Sequence, residues 1–395
     1  MDLVYLDHMS LNPLLPEVRK AMADALSEEW GNPSSQHRLG EKAAEAMANA
    51  RQAVADLIGA RFPREVVFTS CGTESVNQAI KGTAWARQDK GRHIVTTNIE
   101  HNAVIRSLRR LKQMGFAVTS VPVDRQGRVN PATVARAIRP DTILVSVMHA
   151  NNEVGTIEPV EEIARVCREK KVPLHLDAVD SAGLIPLNVE ELGVDLVSFA
   201  SNPFYGPTGV GGLYIRRGTA VWPLLDGGVQ ENRNRAGTEN LLGIIGMGAA
   251  AAAASRDMEK RMAHARSLRD LLLARLPEYV EEFVMNGDPD HCLPHLVSVS
   301  IRHLEGESVM LMLDEEGVEV STRSACASGS LRASHVLLST GMEFADAQGT
   351  LVVSFGPENT EADVIRFLET LGRNVKTLLE ISPLYKKKAA EPPVV

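Results

Sequence analysis

An α/β protein with a mainly parallel sheet, and a smaller α/β domain beside it, is what this chain of 395 residues predicts. Three observations carry that expectation. Short β-rich runs alternate with amphipathic helical stretches, the pattern of a parallel sheet covered on both faces. Polar clusters follow the runs one after another, as they do along the ligand-binding edge of an open α/β sheet. Past about residue 255 the texture changes to a long helix and then a second β/α segment.

In chain order, Val18, Met22, Ala25 and Leu26 fall on one helical face. Met47, Ala50, Val54, Leu57 and Ile58 repeat the pattern, with Gly59 as a stop. The strand candidates are Val66-Val67-Phe68-Thr69, His93-Ile94-Val95-Thr96, Ile143-Leu144-Val145-Ser146-Val147, Leu174-His175-Leu176, Leu196-Val197-Ser198-Phe199 and Gly212-Leu213-Tyr214-Ile215. Polar residues trail the first five: Ser70 to Glu74, Glu100 to Asn102, Ala150 to Glu153, Asp177 to Asp180, and Ser201 to Pro203. The alanine run from Ala249 to Ala254 reads as a closely packed helix, and Val297 to Ile301 and Glu319 to Ser321 belong to the second unit. The expected division is 16–255 for the large domain, 1–15 with 256–385 for the small one, and 386–395 as a solvated tail.

Composition excludes several classes. A hydrophobic content of 44% with 23% charged residues is that of an ordinary globular protein. The net charge of −8 argues against nucleic acid as a partner, since phosphate backbones are held by clustered cations. No apolar run is long enough to span a bilayer, and Met1 to Tyr5 lacks a secretory pattern, so no membrane partner and a cytoplasmic location are expected. Cys71, Cys167, Cys292 and Cys326 are spaced as neither a disulfide framework nor a zinc site.

Taken singly, the polar residues say little. Gly72-Thr73 before a helix suits a phosphate cup or a plain N-cap. Asp177 suits a loop carboxylate, and His101 a satisfied core histidine. Cys167, at helical spacing from Val160 and Ile163, reads as buried. Cys326 lies in the small-residue stretch from Ser321 to Ser334, which reads as a mobile loop.

Together with Gly31-Asn32-Pro33-Ser34-Ser35, Thr73-Glu74-Ser75, Glu100-His101, the run from Met148 to Gly155, Tyr205-Gly206-Pro207, Arg235-Ala236-Gly237-Thr238, Glu305-Gly306-Glu307-Ser308 and Ser324-Ala325-Cys326, in that order, these residues make the chain resemble the cysteine desulfurases of the NifS/IscS type. The resemblance runs from about Tyr5 to about Leu384. It implies the fold-type I pyridoxal-phosphate transferase fold and a homodimer. It also places phosphate at Gly72 and Thr73, the cofactor ring under His101 and its nitrogen on Asp177. Asn152 and Asp180 would face the cofactor, Thr238 would reach the partner subunit's phosphate cup, and Cys326 would carry sulfur as a persulfide.

The same resemblance exposes departures. Pro203 stands where the family keeps the lysine that holds its cofactor, Asn202 replaces the adjacent histidine, and Ala200 replaces a phosphate-binding serine. Asp180 takes the place of a glutamine, Val352 that of the substrate-carboxylate arginine, and Pro357 that of a further basic residue. The segment His8-Met9-Ser10-Leu11-Asn12 replaces a small hydroxyl-rich turn that approaches the site in relatives. Three expectations follow. In the first, the chain handles sulfur without normal pyridoxal-phosphate catalysis, with Cys326 as persulfide carrier or as ligand to an iron–sulfur cluster shared with a scaffold or sulfur-acceptor protein. In the second, it is an active desulfurase with non-covalent pyridoxal phosphate. In the third, it is a dimeric scaffold without enzymatic activity.

Overall fold

The structure is a computed structural model that describes residues 3–28, 30–322, 333–382 and 385. Its strands are β1 (Val4–Tyr5), β2 (Val66–Thr69), β3 (His93–Thr97), β4 (Ala117–Val121), β5 (Thr142–Met148), β6 (Leu174–Asp177), β7 (Leu196–Ala200), β8 (Gly211–Ile215), β9 (Phe283–Met285), β10 (Leu296–Ile301), β11 (Val318–Glu319) and β12 (Thr350–Ser354). Seven of them form one sheet in the order β2-β8-β7-β6-β5-β3-β4. Every residue of β3, β5, β6 and β7 is buried, which is why these strands read as near-continuous apolar runs. Edge strand β4, with its half-exposed Ala-Val-Thr-Ser-Val sequence, carries no such run and escaped the sequence reading.

Strand β8 is antiparallel to both its neighbours, β2 and β7, so β2 points the same way as β7. The remaining pairs, β7 with β6, β6 with β5, β5 with β3 and β3 with β4, are parallel. All five polar clusters therefore leave the sheet at one edge. That common edge positions everything that follows.

One face of the sheet is covered by Pro16–Glu28, Arg38–Leu57 and the first half of Leu241–Arg275. Small residues permit the close approach: a Cβ on Gly248 would fall 2.5 Å from the backbone of Ala50, and Ala250, Ala251 and Ala254 are buried. Leu26 departs from expectation, being 68% exposed. Val18 and Ala25 set the buried line, and Leu26 lies one residue, about 100°, further round the helix.

A second apolar cluster joins Val4, Leu6, Leu268, Leu272, Val297, Val299, Val353 and Phe367. It includes the antiparallel sheet β12-β10-β9 and the parallel pair β1–β11. The helix Leu241–Arg275 is continuous through residue 255 and contributes to both clusters, Ala254 to one and Ala265 to the other. The amino-terminal segment is stitched to β12: Ser354 N–H donates to the Leu6 carbonyl at 2.8 Å, and Met9 N–H to Ser354 Oγ at 2.9 Å. The stitching carries residues 6–12 onto the polar edge of the large sheet.

Candidate active site

The helical run Gly72–Asn77, Gln78–Gly82 and Thr83–Arg87 begins directly after β2. Cys71 occupies its N-cap position and makes no side-chain capping bond. Thr73 is therefore not the cap; it lies in the first turn, exposed, where backbone N–H groups point off the sheet edge. Gly72 is needed for a close approach, since a Cβ there would meet Val179 Cγ2 at 2.6 Å. That contact sets the helix start against the loop that carries Asp177 and Asp180.

Asp177 ends β6 and is 5% exposed. Its Oδ1 accepts from Val179 N–H at 3.2 Å. Burial raises its pKa above the ordinary carboxylate range; His101 opposes the rise and Asp180 adds to it. His101 is no core histidine. It is exposed, it N-caps the helix Asn102–Gln113, and its Nδ1 accepts from Ala103 N–H at 3.1 Å. That bond puts the proton of the neutral ring on Nε2 and fixes the ring at the site's rim. Asp180 and Asn152 are half-buried on the same edge. The fully buried Asn151 shapes Asn152's turn, its Oδ1 accepting from Glu153 and Val154 N–H and its Nδ2 donating to the Ile99 carbonyl.

Beneath this rim lies a layer of buried titratable groups that the sequence reading left unused. Glu100 and Glu158 are pushed up to about 8, in each case chiefly by burial. His149 falls to about 4 and His175 to about 3, both by burial. His175 is held between Ser146 Oγ at 2.8 Å and Ser198 Oγ at 2.9 Å, the surroundings of a neutral structural imidazole. The signal for this layer was present, as charged and histidine residues inside or just after apolar strands.

Pro203 is buried in the short turn Asn202–Phe204. Asn12 Nδ2 donates to the carbonyls of Asn202 at 3.1 Å and Pro203 at 3.0 Å. With both amide hydrogens committed, Asn12 Oδ1 acts as acceptor, and His8 Nδ1 lies 2.7 Å from it. Val352 is fully buried in an apolar cluster with Met9, Ala150, Ile185, Leu293 and Leu296. No amine stands at position 203 and no guanidinium at 352. Lys81, half-buried, lies eight residues along the helical run from Thr73, which at ~1.5 Å per residue is about 12 Å along the axis.

Cys326 lies outside the described residues, but both of its anchors are on the site. On one side Ser321 and Val352 exchange backbone hydrogen bonds, Ser321 N–H donating at 3.1 Å and Val352 N–H at 2.6 Å. On the other, Ser334 caps the helix His335–Ser339, and His335 Nε2 lies 3.0 Å from the Glu100 carbonyl. Thr238 is exposed and lines a cleft with Thr69, Ser70 and Arg235. Of the other cysteines, Cys167 is buried as expected, Cys71 is exposed, and Cys292 Sγ accepts from Arg269 at 2.7 Å. Among the described residues no three His, Cys, Asp or Glu side chains are grouped to hold a metal ion, and no helix is long and apolar enough to cross a membrane.

Comparison with known proteins agrees with this architecture. The model of the aminotransferase class-V family matches residues 4–367. Cysteine desulfurase IscS of Dictyoglomus turgidum is 46% identical over 385 residues, covering 98% of this chain and 97% of that protein. Cysteine desulfurase IscS of Methanosarcina thermophila is 44% identical, covering 98% and 95%. A solved NifS-like protein superposes with a TM-score of 0.90 at 36% identity over 95% of this chain and 100% of its own. The apo structure of a cysteine desulfurase from Thermococcus onnurineus superposes with a TM-score of 0.83 at 26% identity, covering 95% of each chain. With the parallel sheet, the polar edge and matches of this extent, the chain belongs to the class-V aminotransferase family, among its NifS/IscS-like cysteine desulfurases.

Proposed function

We propose that this protein serves sulfur handling through Cys326 and does not carry out the imine chemistry of pyridoxal phosphate. Pro203 is the observation that supports this most strongly. It is buried, has no amine, and has its own carbonyl and its neighbour's tied to Asn12. The helix start, His101 and Asp177 form a rim open to a flat ring, yet Pro203 offers no amine that could form an imine with an aldehyde. Asp180 also adds a second carboxylate next to Asp177, which disfavours an anionic group. The residues present do not fit the covalently held cofactor of the family.

The remaining chemistry needs only a thiolate. The Cys326 thiolate attacks the outer sulfur of a persulfide R–S–SH, the S–S bond breaks, and R–S⁻ leaves. Cys326 then holds the outer sulfur as its own persulfide, and the same exchange passes it to an acceptor thiol. The sequence is redox-neutral. An acceptor protein, or a scaffold on which Cys326 supplies one soft ligand to an iron–sulfur cluster, completes the function.

A homodimer is part of the same proposal. It is supported by the groove that Leu26 and Trp30 line with Leu241, Leu242 and Ile245, in which both are largely exposed apolar side chains. The test is sulfur loading. Incubated with glutathione persulfide, the wild type gains one sulfur atom by intact-protein mass spectrometry and passes it to a dithiol acceptor. Cys326→Ser does neither. Equal loading of the variant removes the thiol from the account.

A further inference from the structure

We infer that the amino-terminal segment 6–12 is a built-in plug, occupying the space between the Pro203 turn and the end of β12 and so excluding free amino acids from it. Each half of the plug is specified by contacts. His8 is 4% exposed and Met9 7% exposed. The His8 ring lies so close over Gly356 that a Cβ there would fall 2.3 Å from its Cε1, so only glycine permits this arrangement. Tyr5 meets the ring edge-on at 4.9 Å between centroids, and Tyr205 lies at 6.1 Å. Met9 fills the apolar cluster around Val352, with His295 Nε2 2.9 Å from its sulfur.

Asn12 fastens the plug. Its amide satisfies the two carbonyls of the Pro203 turn, and its oxygen fixes His8. The proline and the plug are thus one arrangement: the turn that lost an amine is capped by the segment that fills the pocket.

Among the described residues, the cavity beside His8 and Gly356 is small. The cavity lined by Tyr205, Arg261, His295, Phe355, Gly356 and Pro357 measures 30 Å³, room for a water or two but not for an amino acid. Arg261 is the guanidinium on that wall, and it is already engaged: Nη2 lies 3.5 Å from Asp257, and the group sits 5.6 Å over the Tyr205 ring. Its buried Nη1 has no partner among the described residues, and a single water in the cavity would satisfy it. A sulfur donor therefore reaches Cys326 without seating a carboxylate and an amine in this pocket. That consequence, though not the plug itself, rests on the proposed role of Cys326.

The experiment is calorimetric titration of the full-length protein with L-alanine, an amino acid that gives up no sulfur. The wild type is expected to show no binding at millimolar concentration. His8→Ala with Met9→Ala opens the space, and binding strengthens by about tenfold or more. A second measurement needs no variant: diethyl pyrocarbonate modifies the exposed His101 quickly and His8 far more slowly. Binding of L-alanine by the wild type, weakened by Arg261→Ala, overturns the plug, as does modification of His8 at the rate of His101. Sulfide released from L-cysteine by the wild type overturns the plug and the proposed function together, whereas equal sulfur loading of Cys326→Ser overturns the proposed function alone, so the two failures are told apart.

Discussion

Burial beside Asp177 and Glu158 lifts the Glu100 carboxyl to about 8. A carboxyl whose folded pKa lies above its unfolded value favours folding fully below about 4.5, and that contribution is lost as pH rises through 8. Stability measured by urea unfolding should therefore decline between those values. Glu100→Gln, which keeps the shape and carries no charge, should flatten its share of the decline and stabilise the protein at pH 8, by on the order of a few kcal/mol. A variant with the wild-type slope contradicts the burial argument. The proline at position 203 is legible without any structure. What sequence could not show is that Asn12 would satisfy its carbonyl, since the two residues lie far apart in the chain and meet only through the stitching to β12.

At the scale of elements, the polar edge was readable because every cluster follows a buried parallel strand. The antiparallel β8 reads as a strand in the sequence, but its direction carries no local signature and comes only from pairing. The oddity of residues 8–12 was also visible, whereas its meaning as a filled pocket depends on Gly356 and Val352. Two consequences belong here. Val352→Arg would bury a guanidinium among Met9, Leu293 and Leu296, costing several kcal/mol and lowering the thermal midpoint. Pro203→Lys alone should yield no sulfide from L-cysteine with added pyridoxal phosphate, because the plug remains. Turnover by that single variant would show that the pocket was never closed.

At the scale of the whole molecule, the fold class was legible from alternation alone, and the family from motifs spread along nearly the whole chain. A homodimer was legible only through the resemblance, because the exposed apolar residues Leu26 and Trp30 that line one groove carry no periodic signal. Sedimentation velocity should find a dimer, and Trp30→Glu should shift it toward monomer. A wild type that is monomeric at micromolar concentration contradicts the proposed assembly. Whether the amine missing at Pro203 matters is tested by sulfide production from L-cysteine by the purified wild type with added pyridoxal phosphate, against the same mixture without protein. Equal rates are expected, with no cofactor colour retained after gel filtration. Sulfide formed in proportion to protein would contradict that expectation and show that the amine missing at Pro203 is dispensable.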